Sequence, residues 1–272
     1  MNIGILGCGA IGEIILEAYK EGLLEDIRIT MIYDQDEETS KKCVMDIPKP
    51  PRIAKDVADL IRAEDVSLIV ESASQKAVKD YALDIIKNKK SLMIMSVGAL
   101  VDEKFYNSLL EAAKENEQKL YIPSGAIAGI DAIKSASIGK IFQVELTTRK
   151  PPSRFISDPL PNGIKIDLNM KEPKVIFEGN AKSAQNLFPR SINVAATLSL
   201  ASLGPEKTKV IIIADPSIEE NIHEIYVKGE CGTIRTRVEN LPSIKNPKTS
   251  YLAALSAIRT LKKIAEHIQI GT

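Results

Sequence analysis

Three glycines near the N-terminus have the GxGxxG spacing of a phosphate-binding turn. The segment lies between a predicted strand at residues 2–6 and a predicted helix at residues 11–21. In that context Gly7 permits the tight turn, Gly9 lets the backbone approach a pyrophosphate, and Gly12 lets the helix pack on the strand. The alternative is a glycine turn that binds no ligand. The predicted dinucleotide contacts are Gly7, Gly9, Ala10, Ile11 and Gly12.

An acidic residue follows the second predicted strand, at residues 28–33. Asp34 lies about twenty residues beyond the glycines, where the Rossmann-type fingerprint has a carboxylate on the adenosine ribose. Because a carboxylate accepts hydrogen bonds from both ribose hydroxyls and repels a 2′-phosphate, Asp34 predicts NAD rather than NADP. The alternative is an ordinary turn residue at the end of a strand.

Histidine is scarce in this chain, which has only His223 and His267. Histidine exchanges protons near neutral pH, so either residue is a candidate for acid–base chemistry. Strand alternation predicts His223 on the same apolar face as Ile225 and Val227. That position is compatible with proton transfer and equally with a core histidine held by a hydrogen bond. His267 lies at the end of a predicted helix, where we expect a solvated side chain that favours the helix dipole.

Composition excludes several classes of function. Among 272 residues, 36 Lys and Arg balance 36 Asp and Glu, which argues against a nucleic-acid partner. No apolar run reaches the roughly 18 residues that a membrane span needs, and no basic leader precedes the first strand, so we expect a cytoplasmic protein. Few, widely spaced cysteines and two distant histidines predict thiols and no metal site. The cysteines are Cys8, Cys43 and Cys231.

The elements that must position these residues alternate between strand and helix in the first half. Helices are predicted to begin at Gln75 and Glu103. The predicted strands lie at residues 2–6, 28–33, 66–70, 92–96 and 119–122. This pattern predicts a parallel sheet whose loops meet beside the dinucleotide, at the carboxyl ends of the strands. In those loops Ser72, Ser74 and Ser96 are either helix N-caps or direct cofactor contacts.

The second half has a different pattern, with a predicted helix at residues 191–200 among short strands. The strands are predicted at residues 144–148, 174–178, 209–214, 224–228 and 232–239. The sequence thus predicts an α/β protein: a Rossmann-type doubly wound parallel sheet plus a second α+β domain with a mostly antiparallel sheet.

Domain boundaries follow from this change of pattern. Residues 1–125 are predicted to form the dinucleotide-binding domain and residues 126–245 the substrate-binding and dimerisation domain. A long amphipathic helix, predicted at residues 250–268 within the segment 246–272, is expected to pack back on the first domain. Its predicted apolar stripe is Leu252, Leu255, Ile258, Leu261, Ile264 and Ile268.

Six strings taken together resemble the L-aspartate dehydrogenase family. They are GCGAIG at residues 7–12, IPSGAIAGIDA at 122–132, NVAATLSLASLGP at 193–205, ADP at 214–216, NIHEI at 221–225 and NPKTSYLAALSAI at 246–258. These strings span nearly the whole chain. The resemblance implies a homodimer that interconverts L-aspartate and iminoaspartate, or oxaloacetate plus ammonia, with NAD or NADP, and that can supply NAD biosynthesis.

The resemblance also assigns residues. It implies nucleotide contacts at Ala126 and Asn193, which would otherwise be interpreted as a turn alanine and a first-turn helix asparagine. It implies that His223 of NIHEI is the catalytic histidine. In the implied mechanism hydride leaves the substrate Cα for the nicotinamide, water attacks the iminium, and His223 takes the proton from that water.

Cationic side chains are further candidates. Some amino-acid dehydrogenases transfer protons through a lysine, and a dicarboxylate substrate needs positive or N–H-rich contacts. No pattern distinguishes one candidate from the others. The residues considered are Lys134, Arg154, Lys182, Arg190, Lys245 and Lys248. Two alternative functions stay open: another oxidoreductase of this architecture, such as a homoserine-dehydrogenase-like or dihydrodipicolinate-reductase-like enzyme, and a non-catalytic NAD-binding sensor.

Overall fold

A computed structural model describes residues 1–156, 164, 166–188, 192–243, 249–268 and 270–271. The chain divides into two compact units. The first comprises Met1–Pro123 and Ala254–Gln269, and the second comprises Ser124–Ala253 and Ile270–Thr272. Three of the cationic candidates, Arg190, Lys245 and Lys248, lie outside the described residues.

The first unit is built on a six-stranded sheet in which every pairing is parallel. Its strands are β1 (Asn2–Leu6), β2 (Arg28–Tyr33), β3 (Arg52–Ile53), β4 (Leu68–Glu71), β5 (Ser91–Ile94) and β6 (Leu120–Tyr121). The order β3-β2-β1-β4-β5-β6 reverses direction between β1 and β4, which is where sheets of this type bind ligands. The predicted Rossmann-type parallel sheet is confirmed.

Helices connect these strands. They are α1 (Ala10–Lys20), α2 (Glu37–Val44), α3 (Val57–Arg62), α4 (Gln75–Lys87) and α5 (Glu103–Glu115), with a 3-10 turn at Val97–Val101. Side chains at the N-caps of α2 to α5 accept backbone N–H bonds, and the capping residues are Asp36, Asp56, Ser74 and Asp102. Sequence patterns do not predict α2, β3 or α3, because these short elements lack a long apolar period.

The second unit contains a five-stranded sheet in the order β11-β10-β7-β9-β8. Its strands are β7 (Ile141–Lys150), β8 (Lys174–Asn180), β9 (Thr208–Ala214), β10 (Asn221–Gly229) and β11 (Gly232–Asn240). Three of the pairings are antiparallel and the pairing of β7 with β9 is parallel. The predicted mostly antiparallel sheet is therefore confirmed, and it includes one parallel crossover, between β7 and β9.

One face of this sheet, which we call the inner face, packs against helices. It contributes Val144, Leu146, Val210, Ile212, Ile225 and Val227 to the core of the second unit. The helices of this unit are α6 (Ile130–Ala136), α7 (Ala181–Leu187) and α8 (Asn193–Leu200). Small residues of α7 and α8 face the same core, among them Ala181, Ala184 and Ala195.

The last helix, α9 (Tyr251–Ala265), contributes to the core of the first unit. Its buried residues are Ala254, Ala257, Ile258 and Leu261. The predicted stripe was wrong at its two ends, because Leu252 and Leu255 are exposed and the helix ends before Ile268. The alanines form the contact face instead, since small side chains let a helix approach its neighbours closely.

Candidate active site

The glycine turn joins β1 to α1 in the geometry that the sequence predicts. Gly7 has a φ of +99°, and a Cβ on it would lie 2.7 Å from Ala73. A Cβ on Gly12 would overlap the carbonyl oxygen of Gly7. Both positions therefore exclude any side chain for structural reasons.

Gly9 differs from the other two glycines. A Cβ on Gly9 would meet no atom within 4 Å, so the space beside this residue is open. Gly9 is also the N-cap of α1, and no side chain caps this helix. Open space at the uncapped N-terminus of a helix is what a bound pyrophosphate requires. Ala10, Ile11 and Gly12 form the first turn of that helix.

Asp34 links the end of β2 to the glycine turn. Its Oδ2 accepts the Cys8 N–H at 2.7 Å, and its Oδ1 accepts the Asp36 N–H at 3.0 Å. Each carboxylate oxygen has a second lone pair, so Asp34 can still accept a hydrogen bond from a ribose hydroxyl.

A cleft of about 210 Å³ lies between the turn and Asp34. Its walls include Gly7, Gly9, Asp34, Ala73 and Tyr81. A larger depression of about 670 Å³ lies beside Met1 and Arg28, at the amino ends of the strands, and therefore away from the edge where such sheets bind ligands. The open space at Gly9, the uncapped helix and the position of Asp34 together fit the pyrophosphate and adenosine ribose of a dinucleotide in the smaller cleft.

The three candidate serines all take part in hydrogen bonds that hold the loops. Ser72 Oγ donates to the Gly7 carbonyl at 2.6 Å, and Ser74 Oγ caps α4 by accepting the Ala77 N–H at 3.1 Å. Ser96 Oγ donates to Glu71 at 2.8 Å. Only Ser74 therefore caps a helix with its side chain, which was one of the two interpretations, whereas Ser72 and Ser96 hold the loops through other hydrogen bonds.

Glu71, which no sequence pattern singled out, is the centre of these loops. It is 1% exposed and accepts four hydrogen bonds, from the N–H groups of Ala73, Ser74 and Ser96 and from the Ser96 hydroxyl. Burial raises the pKa of its carboxyl, while the four donors favour the ionised form. The sequence signal that could have identified Glu71 is an acidic residue at the end of an apolar strand.

His223 lies on the inner face of the second unit's sheet, 6% exposed, as its strand pattern predicts. It stands opposite Thr148 of β7, and its Nδ1 lies 3.0 Å from the Thr148 hydroxyl oxygen. Burial, helped by the charge of Lys150, lowers the pKa of His223 to about 3, so the ring is neutral at physiological pH. In the described part of the chain this is the ring's only hydrogen bond, so Nε2 bonds to none of the described residues.

Ion pairs on the opposite face hold the same strands in register. Arg149 contacts Asp215 at 3.2 Å and Glu224, the neighbour of His223, at 3.1 Å. Burial alone would raise the pKa of Asp215, but hydrogen bonds from Ser217 and the Arg149 guanidinium outweigh it and lower the pKa. Asp215 therefore stays ionised and fixes the end of β9 to β7 and, through Arg149, to β10.

Ala126 and Asn193 also belong to the second unit. Ala126 is buried in the loop before α6, and its carbonyl accepts a hydrogen bond from Asn240 Nδ2 at 3.0 Å. Asn193 is the first residue of α8. The structure thus brings the glycines and Asp34 together within the first unit, whereas Ala126, Asn193 and His223 lie in the second.

Three of the cationic candidates, Lys134, Arg154 and Lys182, lie in the described part of the second unit. Lys182 pairs with the exposed Glu206 at 2.7 Å, and Lys134 lies in the last turn of α6. Within the described ranges no three His, Cys, Asp or Glu side chains cluster to hold a metal. None of the helices described is long and apolar enough to cross a membrane.

Two protein-family models match the chain. The model for the NAD-binding domain of homoserine dehydrogenase matches residues 7–123, and the model for the C-terminal domain of aspartate dehydrogenase matches residues 131–264. The boundary between the matches lies close to the boundary between the two units.

Similar proteins match over their full lengths. L-Aspartate dehydrogenases of Methanosarcina barkeri and Methanosarcina mazei are 45% and 47% identical, with all of each chain covered. The crystal structure of aspartate dehydrogenase from Thermotoga maritima has a TM-score of 0.81 at 32% identity and covers 100% of this chain and 99% of its own. A homoserine dehydrogenase from Thiobacillus denitrificans, at 14% identity and a TM-score of 0.63, shares the fold alone.

A glycine turn on a parallel sheet, followed by a second unit with a buried histidine, defines a two-unit nicotinamide-dinucleotide dehydrogenase. The identity of about 45% over the whole length identifies the particular group. The chain belongs to the L-aspartate dehydrogenase family.

Proposed function

We propose that this protein oxidises L-aspartate to iminoaspartate, which water converts to oxaloacetate and ammonia, with NAD as the preferred cofactor. The full-length match to the family supports the reaction. The structural observation that carries the proposal is His223, a buried and neutral imidazole held by Thr148. A neutral ring in a fixed orientation can accept a proton, which is what hydrolysis of an imine needs.

The cofactor site is proposed in the first unit. Gly7, Gly9 and the first turn of α1 would hold the pyrophosphate, and Asp34 would accept hydrogen bonds from the ribose. Bound NAD supplies the hydride acceptor for the substrate Cα–H bond. Because Asp34 is anionic, it disfavours the 2′-phosphate of NADP, which we therefore expect to be the poorer cofactor.

His223 is proposed as the proton acceptor for the attacking water. Thr148 fixes the ring through Nδ1, so Nε2 would take the proton while the water oxygen bonds to the imine carbon. A pKa near 3 keeps the free ring neutral, and the two carboxylates of a bound substrate would raise that value by favouring the imidazolium. Substrate binding would thus make the ring a stronger base when it is needed.

Further assignments, which follow from the resemblance and, for location, from the sequence pattern, are included in the proposal. Ala126 and Asn193 would contact the nucleotide. The protein would act as a homodimer in the cytoplasm and could supply NAD biosynthesis. Sedimentation of the purified protein tests whether it is a homodimer, and a monomer at micromolar concentration would contradict this assignment.

A substrate panel tests the reaction. L-Aspartate, L-homoserine and other L-amino acids are each mixed with enzyme and NAD, and NADH absorbance is followed. We expect turnover with L-aspartate and little with L-homoserine. The family model of the first unit comes from homoserine dehydrogenase, so this comparison matters most.

The same panel separates the rival functions. Turnover of homoserine in place of aspartate would indicate a different dehydrogenase of this architecture. A protein that binds NAD by calorimetry and turns over none of the amino acids would be a sensor, and the proposed function would be wrong.

A further inference from the structure

Asn221, the first residue of β10, contains a polar atom that the fold does not satisfy. Its Oδ1 is buried and has no hydrogen-bond partner, and it is the single such side-chain atom found among the described residues. Buried acceptors of this kind are rare in folded proteins because each one gives up its bonds to water. An unsatisfied atom beside a functional residue therefore suggests that a ligand supplies the missing bond.

The position of Asn221 connects it with the proposed chemistry. Asn221 precedes His223 by two residues, so both lie on the same face of β10, about 7 Å apart along the strand. Across the sheet, Thr148 and Lys150 lie on the corresponding face of β7. The charge of Lys150 acts on the His223 ring, so a cation is close to the same end of the sheet.

Asn240 provides a direct comparison within the same sheet. It lies opposite Asn221 in the pairing of β10 with β11. Both ends of its amide are used: Nδ2 donates to the Ala126 carbonyl, and Oδ1 accepts the Ser250 hydroxyl. Two asparagines face each other here, and only Asn221 leaves an acceptor open in this part of the chain.

The chemistry of the open atom limits what can bind it. A carbonyl oxygen accepts hydrogen bonds, so its partner must be a donor. The two carboxylates of aspartate are acceptors and suit the cation at Lys150, whereas its amino group is the donor. The amino nitrogen leaves the same carbon that the water activated by His223 attacks. Asn221, two residues from His223, is therefore suitably placed to bind that nitrogen.

We propose that Asn221 is a substrate-binding residue whose Oδ1 accepts a hydrogen bond from the α-amino group of the substrate and orients its C–N bond beside His223. This inference rests on the proposed function, because it assigns the amino group of that reaction. It assigns Asn221 to the substrate nitrogen and not to the carboxylates. The reverse reaction can test this assignment, because there ammonia and oxaloacetate are separate substrates.

The test is steady-state kinetics of Asn221→Ala in both directions. We expect KM to rise about ten- to a hundredfold for L-aspartate and for ammonium, the usual effect of losing one hydrogen bond to a charged group. KM for oxaloacetate and the Kd for NAD should stay close to those of the unmodified enzyme. Asn221→Asp keeps an oxygen acceptor at this position and should retain more of the ammonium affinity than Asn221→Ala.

Melting temperature separates binding from folding. Asn221→Ala should melt close to the unmodified protein, because no hydrogen bond to Oδ1 is lost. Asn240→Ala is the matched control and should melt lower, because the Ala126 carbonyl and the Ser250 hydroxyl lose their partner.

Three results would overturn the proposal. Unchanged KM values would do so, as would a lowered melting temperature without a change in KM. A raised KM for oxaloacetate with an unchanged KM for ammonium would show that the amide nitrogen faces a carboxylate instead. Failure of the proposed function would be visible in the unmodified enzyme, as absence of turnover with L-aspartate, and so cannot be confused with these results.

Discussion

At the scale of single residues, the proposed proton acceptor is His223, whose orientation depends on one hydrogen bond with Thr148 and whose neutral form depends on burial. Thr148 fixes the His223 ring from the neighbouring strand, and burial keeps the ring neutral. The position of His223 on the buried face was predictable from strand alternation. Its partner was not, because the register between β7 and β10 depends on a pairing that sequence spacing does not reveal.

His223→Asn tests the catalytic role with little disturbance of packing. Asparagine can keep a polar atom near the position of Nδ1, and hence the bond to Thr148, but it cannot accept a proton. We expect turnover to fall about 100- to 10,000-fold while the Kd for NAD is unchanged. Thr148→Val is the companion variant and should lose less, because it frees the ring without removing it. A His223→Asn enzyme with near-normal turnover would show that another residue accepts the proton.

Acid stability reports the depressed pKa of His223. Because the pKa is about 3 in the folded state and ordinarily 6.5, the unfolded chain binds more protons between these values. Stability due to the neutral ring is therefore complete above pH 6.5 and is lost as the pH falls towards 3, at about 1.4 kcal/mol per pH unit.

Urea unfolding at pH 7 and pH 5 measures this loss. Between these pH values the unmodified protein should lose about 2 kcal/mol more than His223→Asn does. His267→Gln, which removes the exposed histidine, is the matched control for loss of one histidine. Equal losses in unmodified protein and His223→Asn would mean that the ring is not buried in the neutral form.

Cofactor choice is a further property that we propose for one residue, Asp34. Asp34→Ser removes the charge that repels a 2′-phosphate, so we expect a higher KM for NAD and a preference shifted towards NADP. KM for L-aspartate at saturating cofactor should change little. The substitution also removes the bond to the Cys8 N–H, so the melting temperature is measured alongside. An unaltered ratio of NAD to NADP activity would assign the choice to another residue.

At the scale of elements, the turn between β1 and α1 shows which sequence patterns are sufficient. The segment at residues 2–12 predicts strand, turn and helix because glycine spacing and apolar periodicity agree there. Its neighbour α2 was missed, since its sequence is mostly polar and only Ser40 is buried. Glu71 was missed because one of its donor residues, Ser96, is 25 residues away in sequence and lies beside it only in the folded unit.

A pair of glycine substitutions separates binding from folding within this turn. Gly9→Val extends into open space, so the protein should fold while NAD affinity is nearly abolished. Gly12→Val collides with the Gly7 carbonyl and should lower the melting temperature strongly or prevent folding. Calorimetry and thermal melting on both variants give the comparison. Normal NAD affinity in a folded Gly9→Val protein would exclude the turn from the cofactor site.

At the scale of the whole molecule, the first unit is assembled from two separate stretches of chain. Leu261 of α9 is fully buried in that unit's core, whereas Leu255 is 39% exposed. Leu261→Ala should reduce the free energy of unfolding by about 2 to 5 kcal/mol, and Leu255→Ala should change it by no more than about 0.5 kcal/mol. Urea denaturation measures both. Equal effects would show that α9 does not depend on that core for its position.

This arrangement has a consequence for synthesis on the ribosome. The nascent chain exposes the parallel sheet first, yet α9, which covers part of its core, is translated only after residues 124–253 of the second unit. Until α9 emerges, the apolar core that it completes, which includes side chains of α1 and β1, stays accessible to chaperones and to other nascent chains. Completion of the proposed nucleotide-binding unit is therefore a late event, timed by translation rather than by the local folding of its first residues.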